Sequence, residues 1–294
     1  MSLPDFMQPC AEEVERRLQH VFDGLEIPPT LRQAMDYSLL AGGKRLRPLL
    51  CISACEAVGG EAEDAIPAAM AFELIHTYSL IHDDLPAMDD DDMRRGRPTN
   101  HRVYGEAMAI LAGDGLLTHA FFLLSSQADR WTAEVALAVT RELAQAAGPQ
   151  GMVGGQVLDM EVEPEREEGL GQLERVHRLK TGALIRGAIR AGALVGRATP
   201  DQLEALTRFG DHLGMAFQMI DDLLDRIGDE HLLGKPVGSD QRQGKRTVVD
   251  VLGIEGTRLS VNRETEAALG ALRQASLQGE RLMQLALFLG SRQS

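Results

Sequence analysis

The chain has 294 residues, 30 of them basic and 44 acidic, for a formal charge of −14, with 44% hydrophobic and only 4% aromatic residues. Such a charge repels nucleic acid, and no basic face interleaved with aromatics argues otherwise. The length allows a sizeable core, and neither a Ser/Gly/Pro-rich linker nor a repeat of solenoid period divides the sequence, so a single domain over 1–294 is expected.

Ala, Leu, Glu, Gln and Arg dominate and β-branched runs are scarce beyond Thr247 to Val251, which predicts an all-α chain. The N-terminal stretch MSLPDFMQPCAEEVERR lacks a positive leader and an apolar core, so no secretory signal is expected. A helix begun near Thr30 is stopped by Gly42-Gly43, and Gly42-Gly43-Lys44-Arg45-Leu46-Arg47-Pro48 sets three cations on a glycine-flexed turn. Cys51 and Cys55, one helical turn apart, read as small core residues. With Cys10 they form an odd set without zinc-ligand spacing, which points to a reducing cytoplasm.

Phe72 to Leu85 has helical apolar spacing, and Pro86 cannot continue that helix, so Asp83 and Asp84 fall at its C-terminal end. The helix dipole disfavours negative charge there unless a cation offsets it. Asp89 to Asp92 follow in the turn, able to fold back onto the same ion. An EF-hand is excluded because neither register puts glycine at its sixth position. Arg94-Arg95-Gly96 comes next. Asp114 interrupts one apolar segment and Arg186 with Arg190 another, which argues against a membrane-spanning helix.

Further along, Gly148-Pro149 breaks a helix, and Glu161 to Glu168, with Pro164 inside, reads as a solvated acidic turn. The small residues between Gly182 and Gly196 allow close helix approach. Thr199-Pro200-Asp201-Gln202 supplies a cap, a proline at the first helical position and a capping-box glutamine. In Phe217 to Asp225, helical period puts Gln218, Asp221 and Asp225 on one stripe amid apolar residues.

Two knots of mutually repelling carboxylates call for cations, and hard oxygen ligands select Mg²⁺ over zinc. The Lys44 turn, the Arg94-Arg95 pair, Lys180-Thr181, Lys235 and Lys245 add groups suited to phosphate oxygens. No Walker or dinucleotide glycine pattern occurs. Cations beside carboxylates therefore suggest a diphosphate leaving group, its departure assisted by bound metal and basic donors, with an apolar cavity sheltering the carbocation left behind.

The run Phe72 to Asp90, followed by Arg94-Arg95-Gly96, resembles the first aspartate-rich motif of the trans-polyprenyl diphosphate synthases, and Asp221 to Asp225 resembles the second. The resemblance extends from Gly42 to Lys245 with similar segments on both sides. It implies an isoprenoid-synthase helical bundle with a central active-site cavity, usually a homodimer, cytoplasmic and not membrane-embedded. The implied reaction is head-to-tail condensation of isopentenyl diphosphate with dimethylallyl or geranyl diphosphate.

Carried over by position, Asp83 and Asp89, supported by Asp84, are to hold two Mg²⁺, and Asp221, helped by Asp225, a third. Arg94, Lys180, Thr181, Gln218, Lys235 and Lys245 are to meet the allylic diphosphate or the developing cation. Gly43, Lys44, Arg47, His76 and Arg95 are to bind isopentenyl diphosphate, although the residues alone would make His76 a core histidine. Gln156 and Asp159 are to support the metal site as neighbours of its ligands, and His82, adjacent to the aspartates, is unassigned. Released diphosphate is the implied base for the final proton. Tyr78, with Ser79, lies five residues before Asp83, roughly 7.5 Å along a helix, where a large ring stops chain growth at C15 rather than C20. A C20 synthase and a non-catalytic subunit of a heteromeric synthase are the alternatives. Many relatives end in a basic tail; here only Arg292 could act so.

Overall fold

The computed structural model describes residues 5–161, 169–227, 246–275 and 277–291, of which 77% are helical. A 3-10 turn, Asp5–Met7, leads into α1 (Gln8–Gln19), α2 (Pro29–Leu39), α3 (Leu46–Ala57) and α4 (Ala62–Asp83). A two-stranded hairpin, β1 (Met93–Arg94) and β2 (Arg97–Pro98), precedes α5 (Asn100–Tyr104), α6 (Glu106–Ser125), α7 (Ala133–Ala147), α8 (Met152–Met160) and α9 (Leu170–His177). After a π-helical turn, Arg178–Gly182, come α10 (Ala183–Val195), α11 (Pro200–Ile227), α12 (Val248–Arg273) and α13 (Glu280–Gly290). Two compact units emerge from the packing, one of Met1–Leu49 with Ile66–Thr140 and one of Leu50–Ala65 with Arg141–Ser294.

The first unit is organised around a buried arginine. Arg45, in the left-handed region at φ 47°, ends the turn after α2. Its Nε donates to Glu15 of α1 at 2.7 Å, Nη1 to Glu73 of α4 at 2.7 Å, and Nη2 to the Leu39 carbonyl of α2 at 2.7 Å. One planar fork thereby ties three helices together, with its donors matched to fixed acceptors. Burial works against its charge, but Glu73 and then Glu15 hold it protonated above its ordinary range. Of the three cations on the glycine turn, Arg45 is thus taken up by the fold.

Residues 66–83 of α4 are apolar nearly all round, with Phe72, Leu74 and Ile75 fully buried, as a central helix requires. Asn100 fastens α5 to α2, its Nδ2 donating to the Ala34 carbonyl and to Ser38 Oγ, both at 2.8 Å. Among the described residues α6 alone is long and apolar enough to cross a membrane. Its Ala109, Ala112, Gly113, Leu116, Ala120 and Leu124 are buried, whereas Asp114 and the apolar Ile110, Leu111 and Phe122 are exposed.

In the second unit, Leu173 of α9, Met219, Ile220 and Leu223 of α11, and Val248 and Val261 of α12 share one apolar cluster. The capping box before α11 forms as expected: the Thr199 amide donates to Gln202 Oε1 at 2.9 Å, and the Gln202 amide to Thr199 Oγ1 at 3.3 Å. The β-branched run Thr247 to Val251 opens a helix rather than a strand, because Asp250 Oδ2 accepts the Thr247 amide at 2.9 Å and Val248 and Val249 join the core. Close approach is realised at Gly192, where a Cβ would stand 1.8 Å from the Cys51 carbonyl oxygen. Cys51 and Cys55 are buried and form no disulfide, and burial pushes the Cys55 thiol up to about 12. α7 ends at Ala147 ahead of the Gly148-Pro149 break. Of the expected acidic turn only Glu161 lies within the described residues, and Arg292 lies outside them.

Removing Arg45 strands the buried Glu73 carboxylate. Arg45→Met is expected to lower the free energy of urea unfolding by about 3–5 kcal/mol, and Arg45→Met with Glu73→Leu to recover most of it. A single variant as stable as the parent would show that the three helices do not depend on this contact.

Candidate active site

The first acidic cluster is built on the end of α4. Past Asp83 the chain turns back, and the Asp89 amide donates to the Asp83 carbonyl at 2.9 Å, with the Asp90 amide on the Leu85 carbonyl at 3.2 Å. Carbonyls left open at a helix C-terminus are thus closed by the acidic turn itself. This brings Asp83 and Asp89, both half-buried, to the same end of the helix. Asp84 differs: it is buried, and its Oδ1 accepts Arg94 Nε at 2.6 Å. Burial pushes its carboxyl up to about 6, against the pull of the Arg94 hydrogen bond. Arg94 also reaches Asp91 at 3.4 Å.

Arg94 and Arg95 are adjacent, yet they serve different places. Arg95 and Gly96 both have positive φ, 52° and 72°, which makes the link between β1 and β2 the left-handed kind that a tight hairpin needs. The turn sends Arg94 to Asp84, whereas Arg95 donates to the Gly42 carbonyl. Its guanidinium lies over Gly43, where a Cβ would sit 3.0 Å from Arg95 Cζ. Burial, only partly offset by Glu73, holds the Arg95 pKa below its usual range, and the charges of Arg45 and Arg94 lower it further. An arriving anion would relieve that repulsion.

His76 belongs to the same group. Burial, followed by the charges of Arg47, Arg95, Arg94 and Arg45, holds its imidazole well below the usual histidine range. It is a neutral ring among cations, able to donate one hydrogen bond to an anion. Gly43, Arg47, His76 and Arg95 are therefore brought together, and Lys44 stands half-buried in the same turn. Tyr78 is buried at 7% exposure with its ring edge-on to His82, the centroids 5.7 Å apart. Burial and then Asp83 push its phenol up to about 12. Ser79 Oγ turns back to the His76 carbonyl at 2.9 Å.

In the second unit a cavity of about 100 Å³ is lined by Asp159, Lys180, Thr181, Gln218 and Asp222, with His177 and Arg246 beside them. Lys180 and Thr181 ride on the π-helical turn, a wide turn of the kind often found where side chains must be aimed. Gly155 of α8 admits that turn, since a Cβ there would lie 2.1 Å from the Lys180 amide nitrogen. Thr181 Oγ1 donates to Gln218 Oε1 at 2.7 Å, and Gln218 Nε2 donates to Asp222 Oδ1 at 3.2 Å. Asp222 Oδ2 takes the Val248 amide at 3.1 Å and lies 3.5 Å from His177 Nε2. Lys180 Nζ donates to Asp159 Oδ2 at 2.6 Å, so Asp159 serves the lysine directly.

Sequence reasoning placed Gln218 in line with Asp221 and Asp225, but the glutamine bonds to Asp222, one turn on. Asp222 counts in the second carboxylate knot but had no role of its own, which the four-residue step from Gln218 could have suggested; His177 and Arg246 were missed. Asp221 is half-buried and Asp225 buried, and neither lines the cavity. Lys235 and Lys245 lie outside the described residues. Among the described residues no three carboxylate, histidine or cysteine side chains converge as a ready metal cluster. Asp83 and Asp89, half-buried at one helix end, offer hard oxygen donors of the kind Mg²⁺ takes one or two at a time, with water and phosphate oxygens completing its shell.

Residues 28–283 match the polyprenyl synthetase family. The chain is 48% identical to the farnesyl diphosphate synthase of Geobacillus stearothermophilus, with 99% of this chain and 98% of that protein covered. It is 46% identical to a chloroplastic geranylgeranyl pyrophosphate synthase of Catharanthus roseus over 82% of this chain and 69% of that protein. Among solved structures, an apo FPP/GFPP synthase from Zymomonas mobilis superposes with a TM-score of 0.85 at 36% identity, with 96% of each chain covered. The chain belongs to the polyprenyl synthetase family of prenyl-transferring enzymes, and it has their all-α fold.

A histidine that stays neutral in the folded state loses the folded protein stability as acid protonates the unfolded one. The His76 Cε1 proton resonance is expected to keep its neutral position from pH 8 down to acid unfolding, with stability declining below about pH 6.5. A titration midpoint at or above the ordinary histidine value would contradict the placement among guanidiniums.

Proposed function

We propose that the chain is a farnesyl diphosphate synthase, condensing isopentenyl diphosphate with dimethylallyl and then geranyl diphosphate and stopping at C15. The observation that carries the C15 product is the buried ring of Tyr78, five residues before Asp83 on α4. Similarity to a farnesyl diphosphate synthase over nearly the full length supports it.

Asp83 and Asp89, supported by Asp84, would hold two Mg²⁺, and Asp221, helped by Asp225, a third. Bound there, the metal would neutralise the allylic diphosphate and ease its departure. Arg94, oriented by Asp84, adds donors to the leaving group. Lys180, Thr181 and Gln218 present an ammonium, a hydroxyl and an amide to the diphosphate or to the allylic cation, and Lys235 and Lys245 complete the set. Arg47, Arg95 and Lys44 receive isopentenyl diphosphate over the Gly43 turn, with neutral His76 donating a hydrogen bond. The pyrophosphate released by ionisation takes the final proton, so the chain needs no side-chain base.

The enzyme is read as a cytoplasmic homodimer. Its apolar residues Ile110, Leu111 and Phe122 on α6, each more than 40% exposed, form a face suited to a second copy. The geranylgeranyl alternative rests on the likeness to the Catharanthus roseus enzyme; the bulk of Tyr78 weighs against it. Both acidic clusters are present, which weighs against a non-catalytic subunit.

Purified chain with Mg²⁺, labelled isopentenyl diphosphate and geranyl diphosphate is expected to yield mainly the C15 product by chromatography of the dephosphorylated alcohols. A dominant C20 product, or no condensation, would overturn the assignment. Tyr78→Ala is expected to move the main product to C20.

A further inference from the structure

The ring of Tyr78 does not stand alone on α4. His82 follows it by four residues, so the two side chains share one face of the helix. Their rings meet edge to face, centroids 5.7 Å apart and planes at 78°. The imidazole is itself fixed: Nε2 lies 3.0 Å from the Ile110 carbonyl of α6. A carbonyl can only accept, so Nε2 carries the proton and donates, which sets the ring plane. Directly beside it is Gly113, where a Cβ would fall 2.1 Å from His82 Nε2 and 2.5 Å from Cδ2. Any side chain at position 113 would claim the volume the imidazole fills. The contact is wholly within the first unit and uses none of the groups assigned to the diphosphates.

We propose that His82 is a positioning residue for product length, a buttress seated on Gly113 and the Ile110 carbonyl that holds the Tyr78 ring across the path of the growing chain. This rests on the reading of Tyr78 as the floor. A tyrosine turns about two side-chain torsions, so its bulk blocks elongation only while neighbours prevent it from swinging aside. The edge-to-face contact with His82 is the one aromatic contact Tyr78 makes among the described residues. A floor without that support would still be large but would yield to a farnesyl chain.

The test reads product length, which a merely stabilising residue would not move. The C20:C15 ratio and kcat/KM with farnesyl diphosphate as acceptor are measured for the parent, His82→Ala, His82→Phe, Gly113→Ala and the double variant His82→Ala/Gly113→Ala. Tyr78→Ala serves as the reference. His82→Ala is expected to raise the C20:C15 ratio at least tenfold. His82→Phe keeps a ring edge without the Ile110 hydrogen bond and should fall between. Gly113→Ala should lengthen the product by displacing the imidazole, yet add nothing once His82 is alanine, since the two act through one contact.

If Tyr78→Ala leaves C15 as the only product, the floor reading itself fails. If Tyr78→Ala lengthens the product while His82→Ala and Gly113→Ala both retain the parental ratio, the buttress alone is wrong. Should His82→Ala fail to fold, Gly113→Ala and His82→Phe decide the same question.

Discussion

The Arg45 guanidinium, clamped between Glu15 and Glu73 and the Leu39 carbonyl, is the contact on which the first unit depends. Its partners lie on α1, α4 and the end of α2, so it fixes the helix that carries His76, Tyr78, His82 and Asp83. A buried charge is an unusual way to hold helices, since an apolar trio of similar volume can be as stable. What the ion pair adds is direction: a planar fork accepts carboxylates only at set angles. It also places a permanent positive charge near His76, where burial first, and then Arg47, Arg95, Arg94 and Arg45, hold the imidazole well below the usual histidine range. A residue of the scaffold thus tunes the electrostatics around the residues proposed to receive substrate.

A division of labour recurs in the two acidic clusters. Each has an aspartate spent on the protein itself: Asp84 on Arg94, and Asp222 on Gln218 and the Val248 amide. Half-buried carboxylates, Asp83 and Asp89 in one and Asp221 in the other, are left nearer to solvent. Two adjacent carboxylates cannot both face one cation along a helix, since neighbours point about 100° apart. The inner aspartate is therefore free to aim the polar groups beside the metal position. Through Asp84 it aims an arginine; through Asp222, a glutamine and then Thr181.

Much of this was legible in the sequence, for physical reasons that are local. The cap at Thr199, the break at Gly148-Pro149 and the C-terminal end of α4 before Pro86 follow from a few neighbouring residues. So do the two carboxylate knots, whose repulsion is apparent from spacing alone. What stayed hidden depended on partners far along the chain. Arg45 looked like the middle of three phosphate-binding cations, and only Glu15 and Glu73 make it structural. From the residues alone Arg94 and Arg95 form one pair; the family resemblance assigned them different roles, and the left-handed link at Arg95-Gly96 supplies the physical reason they part. The Gln218 stripe was drawn to Asp221 and Asp225, but the α12 amide at Val248 pulls Asp222 inward and the glutamine with it. Thr247 to Val251 has strand-like residues, and burial of Val248 and Val249 overrides that preference.

Product length on this reading is a property of helix geometry. The rise of α4 fixes the distance from the metal-binding end to Tyr78, and no substitution on the helix surface changes it short of altering the register. Two variables remain, the size of the side chain at position 78 and how firmly it is held. The second is set from α6, by a glycine whose missing side chain leaves room for the His82 imidazole. A site so built separates its two decisions in space. On the proposed reading, charge at the end of α4 would govern whether a substrate ionises, and the fit of the Tyr78 ring against His82 how long it grows before that happens for the last time.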